Sequence, residues 1–189
     1  KRRLMNSAEF MALFETVTAL RIDRASGDGG ERRFAGLRVV VVEQRHAGYG
    51  ASGRNGGWLT NAITGGRERL IPTHGHDAAV RFQRAMNDTV DEVIRVATAE
   101  GIDADIKKGG EFNVAYTPAQ EARIREFARA ERSWRYTDLE LLEAEEARGR
   151  INVAGTRAAV GHPHAARIQP AKLAVGLAAA GERAGAESY

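Results

Sequence analysis

Residues 43 to 59 read EQRHAGYGASGRNGGWL, and here residue types and spacing first suggest chemistry. Glu43 closes the apolar run LRVVVVE. An acid at the end of a buried strand can accept from both hydroxyls of a ribose at once. Gly50, Gly53, Gly56 and Gly57 keep side chains out of the way, so backbone could approach a flat or phosphorylated ligand closely. Ser52, Arg54 and the N–H groups around them would offer donors to pyrophosphate oxygens. The bland alternative is a flexible surface loop after an ordinary strand. Residue types alone leave both open.

Other constellations carry less. The histidines of HGH at 74–76 and HPH at 162–164 are spaced for two ligands on a strand, but no carboxylate or third histidine stands at a recognised spacing. Loop histidines without a metal are the expectation. Arg129, Arg132 and Arg135 lie near Trp134, and a solvated helix face is expected there rather than a stacking and phosphate patch. Ser52 has no histidine–acid pair placed by sequence, so nucleophilic catalysis is unsupported.

Periodicity predicts the secondary structure around these residues. The unbroken β-branched run predicts a parallel strand at about residues 38–42, buried on both faces, with Glu43 at its exposed end. The glycine stretch reads as loop or short helix. Residues 77–100 predict a long helix with Phe82, Met86, Val90, Val93 and Ala97 on one face. GEFNVAYT alternates as a strand does. Thr117, Pro118 and Gln120 then make a clean helix start. DLELLEAEEARGR predicts a shorter helix, GHPHAARIQ a loop, and a last helix runs from Pro170 to near Gly185 with a strand beginning about Ala186. Residues 7–20 have helical spacing, and RIDRASGDGGERR reads as an exposed loop.

Composition bounds the rest. A length of 189 residues suits one domain with a real core, and 43% hydrophobic with 28% charged residues is globular chemistry. A net charge of +3 is too small and dispersed to argue for nucleic acid. The absence of cysteine excludes disulfides and thiolate sites and fits a reducing compartment, so a cytoplasmic location is expected. No apolar run approaches the roughly 20 residues of a membrane span. The opening KRRLMNSAEFMALF is broken by Asn6, Ser7 and Glu9 and is not expected to be a signal peptide.

LRVVVVEQRHAGYGASGRNGGWL resembles the second strand and following segment of the D-amino-acid-oxidase-like FAD-dependent oxidoreductases. It is most similar to the branch containing γ-glutamylputrescine oxidases. The similarity continues through KKGGEFNVAYTPAQEARI, DLELLEAEEARGRI and ARIQPAKLAVGLAAAGERAGAE, from about Gly36 onward. The resemblance implies FAD, with Glu43 on the adenosine ribose and Gln44 beside the adenine. It implies that Ala51, Ser52, Arg54, Asn55, Gly56 and Gly57 run along the pyrophosphate and ribityl chain, and that a small amine or amino acid is the substrate. Trp58 would stand near the flavin ring or in a core. Gly176 and Gly181 suggest close packing of the last helix.

Departures from the family pattern shape the expectation. A G-x-G-x-x-G turn belongs roughly 20 residues before the ribose acid. That register holds Leu20, Ile22 and Ala25 instead. The expected fold class is therefore α/β, a partial FAD-binding Rossmann-like fragment of parallel sheet plus helices. It lacks the first glycine-rich turn and the family's C-terminal portion. Residues 1–35 form an atypical helix and loop, and 36–189 the partial oxidoreductase domain. The expected function is an amine or amino-acid oxidase portion with weak or absent FAD binding. No catalytic residue is assigned, and no nucleic acid or membrane partner is expected. The alternative is a non-catalytic α/β remnant or interaction module without cofactor.

Overall fold

The computed structural model describes residues 40–134 and 137–189. The readings on residues 7–20, on the loop from Arg21, on the glycine-turn register and on Arg135 lie outside them. In chain order the elements are β1 (Val40–Val41), a 3-10 turn (Ala51–Gly53), β2 (Trp58–Thr60), a second 3-10 turn (Arg67–Leu70), α1 (Ile71–His74) and α2 (His76–Ala99). There follow β3 (Lys107–Lys108), β4 (Glu111–Ala115), α3 (Pro118–Glu131), β5 (Glu140–Glu143), α4 (Ala144–Arg150), β6 (Ala158–His162), β7 (Ala165–Arg167), α5 (Pro170–Arg183) and β8 (Glu187–Ser188). The chain is α/β and forms two compact units. Among the described residues no helix is long and apolar enough to cross a membrane.

The first unit comprises described residues 40–57, 95–106 and 168–189. Its sheet is a parallel pair, with Val40 opposite Glu187 and Val41 opposite Ser188. Backbone bonds continue the pairing past the strands, Tyr189 N to Val41 O at 3.0 Å and Glu43 N to Tyr189 O at 2.8 Å. The parallel strand is thus present, but its burial on both faces is not. Val40 and Val42 are 47% and 44% exposed. The reason is local: among the described residues β1 has one neighbouring strand, β8, and a strand at a sheet edge lacks the layers that bury a central one.

Helix α5 begins where Pro170 marked its start, capped by the Gln169 side chain accepting from Lys172 N at 3.1 Å. It packs Leu173 with Ala97 and Ala104, and with Ile102, Ile106, Ile168 and Leu177 around them. Gly176 is a packing glycine, since a Cβ there would lie 2.3 Å from Ile102 Cγ2. Gly181 is not, its nearest neighbour being Ala186 at 4.0 Å.

The second unit comprises residues 58–94 and 107–167. It holds two antiparallel three-stranded sheets, β2-β7-β3 and β4-β6-β5. Helix α2 matches its sequence reading except at Phe82, which is 45% exposed. The buried stripe runs instead through Ala79, Val80, Val90 and Val93. Gln83 completes it by donating to Asn61 O at 3.2 Å and Asn87 Oδ1 at 3.1 Å. Helix α3 starts with the full capping box of Thr117 and Gln120.

Two further expectations fail. Residues 138–150 are not one helix, because Glu140–Glu143 pairs with β6 and only Ala144–Arg150 is helical. Pairing puts Leu142 opposite Ala159, and both are buried with Ala147 of α4. The stretch 161–169 is not a loop either. It holds the end of β6 and all of β7, joined by a turn at Pro163.

Candidate cofactor site

All eight residues singled out for the cofactor fall in the first unit. Glu43 lies two residues past β1, its N–H still paired with Tyr189 O, and is half-buried; its Oε1 accepts from Arg45 N at 3.3 Å, a long bond that leaves acceptor capacity for a ligand hydroxyl. Gln44 is exposed beside it. Ala51, Ser52 and Gly53 form the 3-10 turn. Asn55 ties that turn to Gly57. Its Nδ2 donates to Ser52 O at 3.0 Å and Ala51 O at 3.3 Å, while its Oδ1 accepts from Gly57 N at 2.9 Å.

The glycines divide by role. At Gly53 a Cβ would lie 2.0 Å from Gly48 O, so the chain's own backbone forbids a side chain. Gly57 has φ +73°, and a Cβ there would lie 2.2 Å from the Ile168 carbonyl oxygen. Its own carbonyl accepts from Ile168 N at 2.8 Å, fastening the loop to the start of α5. Gly56 is different, with nothing within 4 Å of its Cβ position. The crowding that glycine relieves at 53 and 57 is therefore internal. Gly56 is the position at which an outside group could approach.

The site also contains residues that sequence reasoning missed. Tyr49, 39% exposed, carries the Arg54 guanidinium 4.5 Å from its ring centroid and that of Arg45 at 5.5 Å. His46 meets the same ring edge-on at 5.2 Å. Among the described residues neither arginine pairs with a carboxylate. Two unneutralised guanidinium groups on one ring, near an acid, form a mixed-charge surface of the kind a phosphorylated nucleoside complements. The alternation of basic and aromatic residues in QRHAGYG was the available signal.

The other candidates are dispersed. Trp58 is 80% exposed on β2 and is no core residue. His76 stacks on Trp134 at 4.7 Å, and the Arg67 guanidinium lies 3.9 Å from the Trp134 centroid on its way to an ion pair with Glu131. Arg129 pairs with Glu126, as a solvated helix face would. In the 162–164 turn, His164 Nε2 lies 2.6 Å from Asp138 Oδ2, and His162 Nδ1 accepts from His164 N at 3.3 Å. Burial holds the His162 imidazole below its ordinary range, with Glu111 at 3.8 Å opposing that shift. Among the described residues no three histidine or carboxylate side chains converge on a metal position.

The site is thus an acid ending a parallel strand, followed by a self-braced glycine loop against a helix start. The family model described as FAD dependent oxidoreductase (DAO) matches residues 18–189. The chain belongs to this family. Gamma-glutamylputrescine oxidoreductase from Escherichia coli is 34% identical to this DAO-family chain over 145 residues, covering 76% of this chain and 34% of that protein. Glycine oxidase from Bacillus cereus shares its fold with a TM-score of 0.62 at 18% identity, over 82% of this chain and 40% of the other. L-amino acid deaminase from Proteus vulgaris gives 0.63 at 14%, over 92% and 40%. The chain thus spans about a third of the curated relative's length.

Measured against the cofactor of the DAO family, the residues fit at one end. Glu43 and the open face at Gly56 suit a ribose and a close backbone approach. The N–H groups of Gly53, Arg54 and Gly57 are already committed, to Gly50 O, Ala51 O and Asn55 Oδ1. The guanidinium groups of Arg45 and Arg54 remain for a pyrophosphate, beside the open backbone at Gly56.

Proposed function

We propose that this chain is the portion of an FAD-dependent amine or amino-acid oxidase that holds the adenosine side of the cofactor. In such an enzyme a bound flavin would supply the acceptor for the hydride of the C–H bond beside the substrate's amine nitrogen, with the C–N bond becoming an imine, while the protein binds and orients. Glu43 would accept from the ribose hydroxyls with Gln44 beside the adenine. Ala51, Ser52, Arg54, Asn55, Gly56 and Gly57 would border the pyrophosphate and ribityl chain. The observation that carries this is Glu43 at the end of a parallel strand, half-buried and with acceptor capacity to spare.

The 189-residue chain itself is proposed to bind FAD weakly. Leu20, Ile22 and Ala25 occupy the register in which the fold family places phosphate-binding glycines. Losing even two or three charge-assisted bonds of about 1.5–3 kcal/mol each weakens binding by orders of magnitude. Titration of the purified chain with FAD, followed by flavin fluorescence, tests this. Shallow quenching that Glu43→Gln weakens further is expected. Tight one-to-one quenching at micromolar protein, or amine-dependent peroxide release, would overturn the weak-binding proposal. Quenching indifferent to Glu43→Gln would remove Glu43 from the site. The self-bonded loop favours a second reading, a cofactor-free α/β module, and complete absence of FAD binding would select it.

A further inference from the structure

Of the six asparagines in the sequence, Asn55 alone is followed by glycine, and both residues are exposed. The loop that holds them leaves one backbone donor over. Gly53 N, Arg54 N and Gly57 N are bonded to Gly50 O, Ala51 O and Asn55 Oδ1, whereas among the described residues Gly56 N meets no acceptor. Nothing lies within 4 Å of the Gly56 Cβ position, so this peptide unit is open to water and base.

The Asn55 side chain is bent back along the same peptide unit. Its Oδ1 takes the N–H two residues on, at 2.9 Å, which folds the amide carbon alongside the intervening Gly56 nitrogen. The Gly57 N–H that makes this bond also polarises the carbonyl, and is placed to take up charge developing on Oδ1 when a nucleophile adds to the carbon. Nδ2 donates to Ser52 O at 3.0 Å and Ala51 O at 3.3 Å, which keeps the amide in this one orientation. Glycine at 56 adds no Cβ to resist ring closure, and its backbone reaches dihedral angles that other residues avoid.

We propose that Asn55 is a site of spontaneous deamidation. Gly56 N gives up its proton to solvent base and bonds to Asn55 Cγ. The Cγ–Nδ2 bond breaks, and the nitrogen leaves as ammonia with a proton from water. Water then opens the succinimide at either carbonyl, giving aspartate or isoaspartate with no change of oxidation state. The aspartate product carries a carboxylate where Nδ2 had donated, so the bonds to Ala51 O and Ser52 O are lost and oxygen faces oxygen. This chemistry is independent of the cofactor function proposed above. Its consequence rests on that function: a new negative charge among the residues bordering the pyrophosphate repels it, and FAD affinity falls as the protein ages.

The purified chain, incubated without FAD in mildly alkaline buffer and mapped by peptide mass spectrometry, tests this. The peptide containing Asn55 is expected to exchange its amide for a hydroxyl, and to accept label from an isoaspartyl methyltransferase. Asn113, exposed but followed by Val114 within β4, is the internal control and should stay intact. The folded chain should react at Asn55 no more than about tenfold more slowly than the guanidinium-denatured chain, because the fold leaves this peptide unit open. Gly56→Ala, whose methyl enters open space, should slow the reaction at least about fivefold. Stronger protection by the fold than that would overturn the proposal. So would equal conversion of Asn113, or an unchanged rate in Gly56→Ala. Because the assay contains no FAD, failure of the flavin titration and an intact Asn55 are separate results.

Discussion

Gly56 and Gly57 are adjacent and of one residue type, yet their surroundings oppose each other. Gly57 combines a φ of +73° with a Cβ position inside contact distance of Ile168 O, where its own carbonyl also takes the Ile168 N–H. Alanine there strains the backbone and pushes apart the contact that fastens the loop to α5. Gly57→Ala is therefore expected to destabilise by more than about 1 kcal/mol. Gly56→Ala adds a methyl to open space and should change stability by no more than about 0.5 kcal/mol. Denaturant melts of the two variants decide the matter, and a larger loss from Gly56→Ala would reject the loop geometry. At this scale the sequence located the stretch but not the division of labour within it. Which glycine faces the chain and which faces outward depends on Ile168, far along the sequence at the start of α5.

Elements were legible where their signals are local. The start of α3 needs three nearby residues, and its bonds are those anticipated: Gln120 N to Thr117 Oγ1 at 3.3 Å and Thr117 N to Gln120 Oε1 at 3.0 Å. Thr117→Ala should cost about 1 kcal/mol, read as a lower denaturation midpoint with unchanged slope, while Thr117→Ser should recover most of it. No measurable loss in Thr117→Ala would mean that the cap is not formed in solution. Glu140–Glu143 shows the opposite case. Leu139, Leu141 and Leu142 with their acidic neighbours suit a helix by propensity, but β6 offers a pairing edge and buries Leu142 against Ala159 and Ala147. The edge belongs to residues 158–162, whose small side chains carry little strand signal of their own. Strands β6 and β7 were illegible for the same reason, since AAVGH and AAR become strands by register with β4, β5, β2 and β3.

Across the whole molecule, two kinds of titratable group respond to pH in different windows. His162 is held below its ordinary value of 6.5 by burial, partly opposed by Glu111, with His164 and Glu131 also in its field. A histidine whose folded pKa is depressed binds fewer protons folded than unfolded. Its contribution is present in full above about 6.5 and is lost as pH falls through the lowered folded value. Glu121 is held below 4.5 by Arg157 at 2.6 Å and Arg125 at 3.1 Å, and Glu143 by Arg125, which grips both its oxygens at 2.8 and 2.7 Å. Their contribution is present above 4.5 and lost as pH falls through the lowered carboxylate values. The melting temperature is therefore expected to be flat between about pH 7 and 7.5, to fall in a first step below about 6.5, and to fall again below about 4.5. The two steps differ in cause, and that makes them separable. Desolvation of His162 is insensitive to salt, whereas the exposed carboxylate–guanidinium network is screened, so about 0.5 M NaCl should shrink the second step and leave the first. His162→Gln should abolish the first step and keep the second. Thermal melts of both proteins from about pH 7.5 to 3.5 at two salt concentrations test the assignment. A first step that survives in His162→Gln would place the responsible proton elsewhere.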